Sequence, residues 1–432
     1  MATYSTGEQS TSNANSFLGL GVPIHLPSLA SPSGSDSPFI PEAHTSKAVD
    51  MPGISDIPPE RQGVDFGQIS YFKYINNDNE VLQKCVLCLQ LAPLTGGTNP
   101  RYVDDIALAA IDYVEFVFAG NQLQLLYGDE LHFRMMQELP EDELWRRRKL
   151  QAAGLTPTER ATLAQNPQYI YCEIPFWWTR ADKSAFHQYA FQRLTRIVFH
   201  FRQAGYLVQQ DTTGNPPVTP TPSVGTTYIT NHWLRFHTTA LSEATKALYL
   251  QQVQTQGQNG WLQMINDFER ITNQSLPQGT GQNQTFQILL NTFSKFGYNL
   301  RYWIRPQANL VANPNNNRRW DLVDILTDEL QISGKDFQIP LDDFYKKYMI
   351  NGALFLGNEA LPIYNIPLTD FPMVHTHGMG GIEFSNTANP QLTITTPSLP
   401  YPCYLDIYLY CHNYVRLVVK GAQSAAETVQ PL

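Results

Sequence analysis

Cys85-Val86-Leu87-Cys88 is the chain's single CxxC spacing. A structural zinc needs four ligands, commonly two such pairs. Here Cys403 and Cys411 are the only other close pair, and they are eight positions apart. In an extended strand an offset of three sends two thiols to opposite faces, so the spacing predicts buried core cysteines. His375 and His377 would share one face of an extended segment, with Asp370 and Glu383 near in sequence. A metal site is one reading of that cluster; Gly378, Gly380 and Gly381 favour the other, a loop leading into the last strands. Glu141, Asp142, Asp342 and Asp343 form no carboxylate pair of defined geometry. The chain contains no GxSxG, Walker loop or HExxH. The glycines at 378–381 lack the strand–helix setting of a dinucleotide site. Asn273 and Asn283 open glycan-acceptor triplets, which chance explains without a secretory signal. The sequence therefore assigns no catalytic, cofactor-binding or metal-ligating residue, and no cofactor is expected.

Charge supports the same reading. The net charge is −9, whereas a protein that coats nucleic acid needs clustered cations. The one dense basic run, Arg146-Arg147-Arg148-Lys149, follows Glu141-Asp142-Glu143. At helical spacing these charges pair as i,i+3 and i,i+4, which predicts a solvated helix face, a binding patch being the other reading. No direct, specific nucleic-acid binding is expected. Five cysteines, a polar start and no apolar run long enough to cross a bilayer point to synthesis in a reducing compartment.

The elements that would carry such residues are mostly strands. With 432 residues the chain suits two domains, and 42% hydrophobic residues can fill two cores. Residues 1–60, rich in Ser and Pro, read as a flexible arm with apolar anchors at Phe17, Leu18, Leu20 and Ile24. Residues 61–210 read as a first β domain. Tyr113–Phe118 closes on a turn at Ala119-Gly120, and Ile197, Phe199 and Phe201 share one strand face. Helices are expected at 140–153 and from a capping box at Thr156-Pro157-Thr158-Glu159. Residues 211–225, DTTGNPPVTPTPSVG, read as a Pro-rich linker between the domains. Residues 226–432 read as a second β domain with helical insertions at 241–255, 260–272 and 284–295. It ends in a long strand from Leu405 to Lys420, kinked or bulged at Asn413. Arg196 and Arg416 occupy like places in strands expected to close each half.

Several stretches resemble one family in their order. Tyr102–Ala107 leads into Ile111–Glu115, then Gly120, Leu126-Tyr127-Gly128-Asp129 and a helix. Ile174-Pro175-Phe176-Trp177-Trp178 precedes Ala190–Ile197. In the second half Ile366-Pro367-Leu368 leads to Gly380–Asn386, with Asn389 and Leu392 following, and Asn413–Leu417 lies in the terminal strand. This order is similar to major capsid proteins of nucleocytoplasmic large DNA viruses and their polinton-like and adintovirus-like relatives. Tyr414 before Val415, and the missing Glu in the first-half strand, depart from the family's texture. The resemblance covers about 100–205 and 360–422.

The resemblance implies an all-β double jelly roll with helical insertions: two consecutive eight-stranded jelly rolls. It implies a homotrimeric, pseudo-hexameric capsomer of an icosahedral double-stranded DNA virus, and no enzyme activity. Expected partners are the chain itself, neighbouring capsomers, minor capsid or penton proteins and an internal membrane. The expected location is the virion, with assembly in the host cytoplasm. Trp177, Trp178, Tyr408 and Tyr410 are expected to supply exposed contact surface, a packed core being the other reading for all four and an equal one for the tryptophans. Two rival functions share the fold, a carbohydrate-active enzyme or lectin and a viral scaffold protein.

Overall fold

The computed structural model describes residues 51–74, 80–179, 195–211, 218–243, 245–247, 251, 261–315, 317–351, 361–369, 381–420 and 423–429. The expected arm up to residue 50, and His375, His377 and Asp370, lie outside them.

Two sandwiches follow one another along the chain. The first contains β1 (Met51–Ile57), β2 (Ile69–Tyr74), β3 (Glu80–Leu91), β4 (Ile111–Phe118), β5 (Asn121–Tyr127), β6 (Gln168–Glu173), β7 (Thr195–Phe201) and β8 (Ile229–Ala240). One of its sheets runs β1-β8-β3-β6 and the other β2-β7-β4-β5. The second contains β9 (Trp261–Leu276), β10 (Gln284–Leu289), β11 (Phe296–Pro306), β12 (Thr327–Ile332), β13 (Lys335–Asp342), β14 (Tyr364–Pro367), β15 (Gln391–Thr396) and β16 (Cys403–Lys420). Its sheets run β9-β16-β11-β14 and β10-β15-β12-β13. Raising each number of the first sandwich by eight reproduces the second. Each is a complete eight-stranded jelly roll, so the fold is the double jelly roll that the family resemblance implies. A further strand, β17 (Gln423–Val429), pairs with β16.

Local chemistry explains these elements. Along β2 exposed and buried residues alternate, as a half-buried strand requires. In β7, Ile197, Phe199 and Phe201 enter the core while Arg196 and His200 point outward. The hairpins β4–β5 and β12–β13 turn on Ala119-Gly120 and Ser333-Gly334. All four residues have positive φ (51°, 88°, 54° and 73°), as a two-residue turn of strand-matching twist demands. The same turn thus recurs at the same place in both sandwiches.

Between strands of the first sandwich run α1 (Ile106–Ala110), α2 (Gly128–Glu138), α3 (Glu141–Gln151) and α4 (Pro157–Leu163). At α4 the Glu159 N–H donates to the Thr156 hydroxyl and the Glu159 carboxylate accepts from the Thr156 N–H, the expected capping box. Gly128 opens α2 where a Cβ would meet the carbonyl oxygens of Leu108 and Ile111.

Several expectations are corrected. Residues 51–57 are no part of an arm; they form β1, hydrogen-bonded to β8 from Met51↔Ala240 to Ile57↔Leu234. The linker does not divide the sandwiches, because β8 beyond it returns between β1 and β3 and buries Leu234 and Phe236 in the first core. In the described part of that linker, Thr221-Pro222 pairs with Leu94-Thr95. The helices expected at 260–272 and 284–295 are β9 and β10. β9 registers through Ile265↔Asn413 without a shift, so β16 has no bulge at Asn413. The irregularities lie in its partners, at Ile271/Gln274 and Gly297/Asn299. Arg196 lies in β7 and Arg416 in β16, which are not equivalent strands; the counterpart of β16 is β8. Arg147 is not on a solvated face: it is buried and its guanidinium lies 2.8 Å from Asp105. Arg146 does pair with Glu143, at 2.5 Å. Trp177, Trp178, Tyr408 and Tyr410 are all buried. The two tryptophans fill the first core with Phe116 and Phe176.

Candidate functional site

The sequence marked no reactive site, and the densest polar chemistry in the structure is structural: a seam between the two sandwiches. Its centre is α2, which follows β5 and lies against the outer face of β11 and β16. On β16 the odd residues Ile407, Leu409 and Cys411 fill the second core. The even residues Tyr408 and Tyr410 therefore point the other way and pack with Phe133 of α2, Trp303, Tyr298 and Ile363. Trp303 stacks on Tyr408 at 4.9 Å, and Phe133 lies 4.6 Å from Trp303. Tyr127, at the end of β5, meets Phe268 of β9 and carries the Arg270 guanidinium 3.4 Å above its ring.

Ion pairs frame this apolar patch. Asp129 of α2 contacts Arg202 at 3.0 Å, Arg305 at 2.9 Å and Arg319 at 2.7 Å. Arg202 belongs to the first sandwich, and Arg305 and Arg319 to the second. Burial alone would raise the Asp129 carboxyl, but Arg202, Arg319 and Arg305 outweigh it and hold the group well below the usual carboxylate range. Arg305 also reaches Asp406 on β16 at 2.5 Å. At the far end of α2, Arg301 pairs with Glu138 at 3.0 Å and donates to Asn365. The Tyr410 hydroxyl donates to Glu130 at 2.7 Å. Gln137 donates to the Ile363 carbonyl and accepts from Asn365. Below α2, Asp105 binds His132 and Arg147, and His132 stacks on Trp320 at 3.8 Å.

A bidentate contact such as Arg319 on Asp129 fixes orientation as well as distance. Buried pairs cost desolvation, so their main effect is to specify one arrangement of the two sandwiches. A cleft of about 650 Å³ opens beside the network, lined by Arg270, Arg305, Arg319, Asp129 and Asp406. Each of these side chains already has a charged or aromatic partner, so the cleft reads as the rim of the seam.

The cysteines are free and buried: Cys85, Cys88, Cys172, Cys403 and Cys411. Burial pushes the Cys88 thiol up to about 12 and the Cys403 thiol up to about 11. Neither is a nucleophile at neutral pH. Glu383 accepts from Ser385 and Asn386 beside it. None of the seam residues was singled out in the sequence for this role. The available signal was Arg301 and Arg305 inside the aromatic strand Leu300–Arg305, where a charge implies a buried partner.

No protein-family model matches the sequence, and no curated protein matches it. Solved structures do share its fold. The Faustovirus major capsid protein is 12% identical, with 86% of this chain and 91% of that chain covered at a TM-score of 0.67. The PBCV-1 capsid protein is 14% identical, with 88% and 98% covered at 0.66. The mavirus major capsid protein is 9% identical, with 87% and 90% covered at 0.56. At these identities the likeness is one of fold, and it runs over nearly the whole of each chain: this protein is a double jelly roll from β1 to β16.

Proposed function

We propose that the chain is a major capsid protein, a homotrimer whose six sandwiches form a pseudo-hexagonal tile of an icosahedral double-stranded DNA virus shell. The carrying observation is that one chain holds two complete jelly rolls of identical strand order, locked side by side by a buried seam. Locked sandwiches give one subunit two near-equivalent building blocks, so a closed threefold assembly presents sixfold edges. The end-to-end fold likeness to viral capsid proteins supports this reading over a carbohydrate-active enzyme or lectin. The reading assigns no catalytic residue. It places the protein in the virion, after assembly in the host cytoplasm, with neighbouring capsomers, minor or penton proteins and an internal membrane as partners. Residues 1–50, with Phe17, Leu18, Leu20 and Ile24, would link the tile to those partners from the inner side. Deleting residues 1–45 is expected to leave the oligomer folded and impair shell closure.

Light scattering and negative-stain microscopy of the purified chain test the proposal. The expected result is a particle of three 48.9 kDa chains with hexagonal outline. A monomer at micromolar concentration would sink it.

A further inference from the structure

Within the chain, a strand and the helix after it, β5 and α2, cover the outer face of the β9-β16-β11-β14 sheet. The equivalent strand in the second sandwich is β13. It is followed by a π-helix (Tyr345–Asn351), and this pair lies exposed at the sheet edge.

That π-helix is inside out. Lys346 and Lys347 are buried. The Lys346 ammonium lies 3.2 Å from Asp328 and donates to Gln338 and to the Asn365 carbonyl. Lys347 reaches Asp324 at 2.5 Å and Asp343 at 3.1 Å. The apolar residues face water instead: Phe344 is 69% exposed, Ile339 63% and Met349 56%, and Phe337, Tyr345 and Tyr348 are exposed too. Phe344 and Tyr348 already form one platform, their rings 4.9 Å apart. Of the eighteen exposed large hydrophobics among the described residues, six fall within residues 337–349, so the patch is not random scatter. At about 200 Å² per large side chain, it exposes on the order of 600 Å², near the ~800 Å² each partner gives to a stable interface.

The matching open surface is on the first sandwich. The outer face of β1-β8-β3-β6 is the counterpart of the face that α2 covers. It carries Ile54, 65% exposed, and Tyr169, 54% exposed, with half-buried Tyr171 and Trp233. The Trp233 indole N–H is buried without a hydrogen-bond partner.

We propose that β13 and the π-helix of one copy dock on the outer β1-β8-β3-β6 face of a second copy, repeating between chains the contact that β5 and α2 make within one. The two surfaces differ, so the contact is head-to-tail, and in the threefold capsomer three such contacts complete the ring. This rests on the capsomer reading and names the surfaces that build it.

The test uses the full chain. Phe344→Glu with Met349→Glu should keep the thermal transition and raise the half-assembly concentration about 100-fold or more, as an unpaired charge in a desolvated contact does. Ile54→Glu with Tyr169→Glu should do the same from the other side. Mixing the two double variants should give a 1:1 dimer, because each retains one intact half. A photo-crosslinker replacing Phe344 should label the segment around Ile54, Tyr169 or Trp233 of another copy. Variants that assemble like wild type, or crosslinks to residues 1–50 or to a second π-helix, overturn the docking. A wild-type chain that never leaves the monomer overturns the capsomer reading itself.

Discussion

At the scale of single residues, one carboxylate holds much of the seam. Asp129 gathers three guanidiniums from two sandwiches. Asp129→Ala should cost about 3–5 kcal/mol, because it takes the carboxylate from Arg319 and leaves Arg305 with Asp406 and Arg202 with Asp112 as their remaining counter-charges; thermal unfolding of variant and wild type measures it. His232 behaves differently. It is buried in the first sandwich, 2.7 Å from the Ser70 hydroxyl, and burial pushes it down from the usual 6.5 to about 4. Its neutral form is favoured in the folded state, so its contribution is complete above pH 6.5 and is lost as pH falls toward 4. The full loss is about 3 kcal/mol. Thermal transitions at pH 7 and 4.5 should show the decline, and His232→Gln should flatten it. A slope unchanged in that variant assigns the acid sensitivity to other groups. Little of this was legible in the sequence. Asp129 is an ordinary first-turn helix acid until β11 delivers Arg305 to it.

At the scale of elements, legibility depended on how many neighbours an element has. The capping box at Thr156 uses residues three apart and needed no tertiary context; Thr156→Ala should cost about 1 kcal/mol of stability in a chemical denaturation curve. β7 has one core face and one polar face, so its alternation was plain. β9 lies between the two sandwiches, with Ile265 in the first core, Ile271 against the second and Phe268 at the seam. Apolar residues at 261, 265, 268 and 271 then mimic a helical stripe, which is why their spacing predicts a helix where the strand lies. The Tyr127-Gly128 step belongs to the stretch that resembles the family, and the structure supplies its reason. α2 starts directly against the Leu108 and Ile111 carbonyls. Gly128→Ala should therefore destabilise by about 2–3 kcal/mol, as overpacking does, read by the same denaturation curve.

At the scale of the whole molecule, the fold class was legible and the division of the chain was not. A Pro-rich stretch looks like a boundary, yet the strands on both sides of 211–225, β7 before it and β8 beyond it, belong to the first sandwich. A protease nick there should split the chain on a denaturing gel and leave the pieces together on gel filtration. Separation of the pieces would contradict the pairing of β8 with β1 and β3. That pairing also sets an order of events during synthesis. Among the described residues the first strand of each sandwich is hydrogen-bonded to the last alone, β1 to β8 and β9 to β16. A nascent chain leaving the ribosome must therefore carry β1 and one side of β3 unpaired until residues 229–240 emerge. It meets the same delay again before β16. Contacts so distant in sequence form slowly, and open sheet edges attract other chains while they wait. Production of this protein at high concentration should thus be limited by shielding of the growing polypeptide, with aggregation rising when translation pauses between β7 and β8.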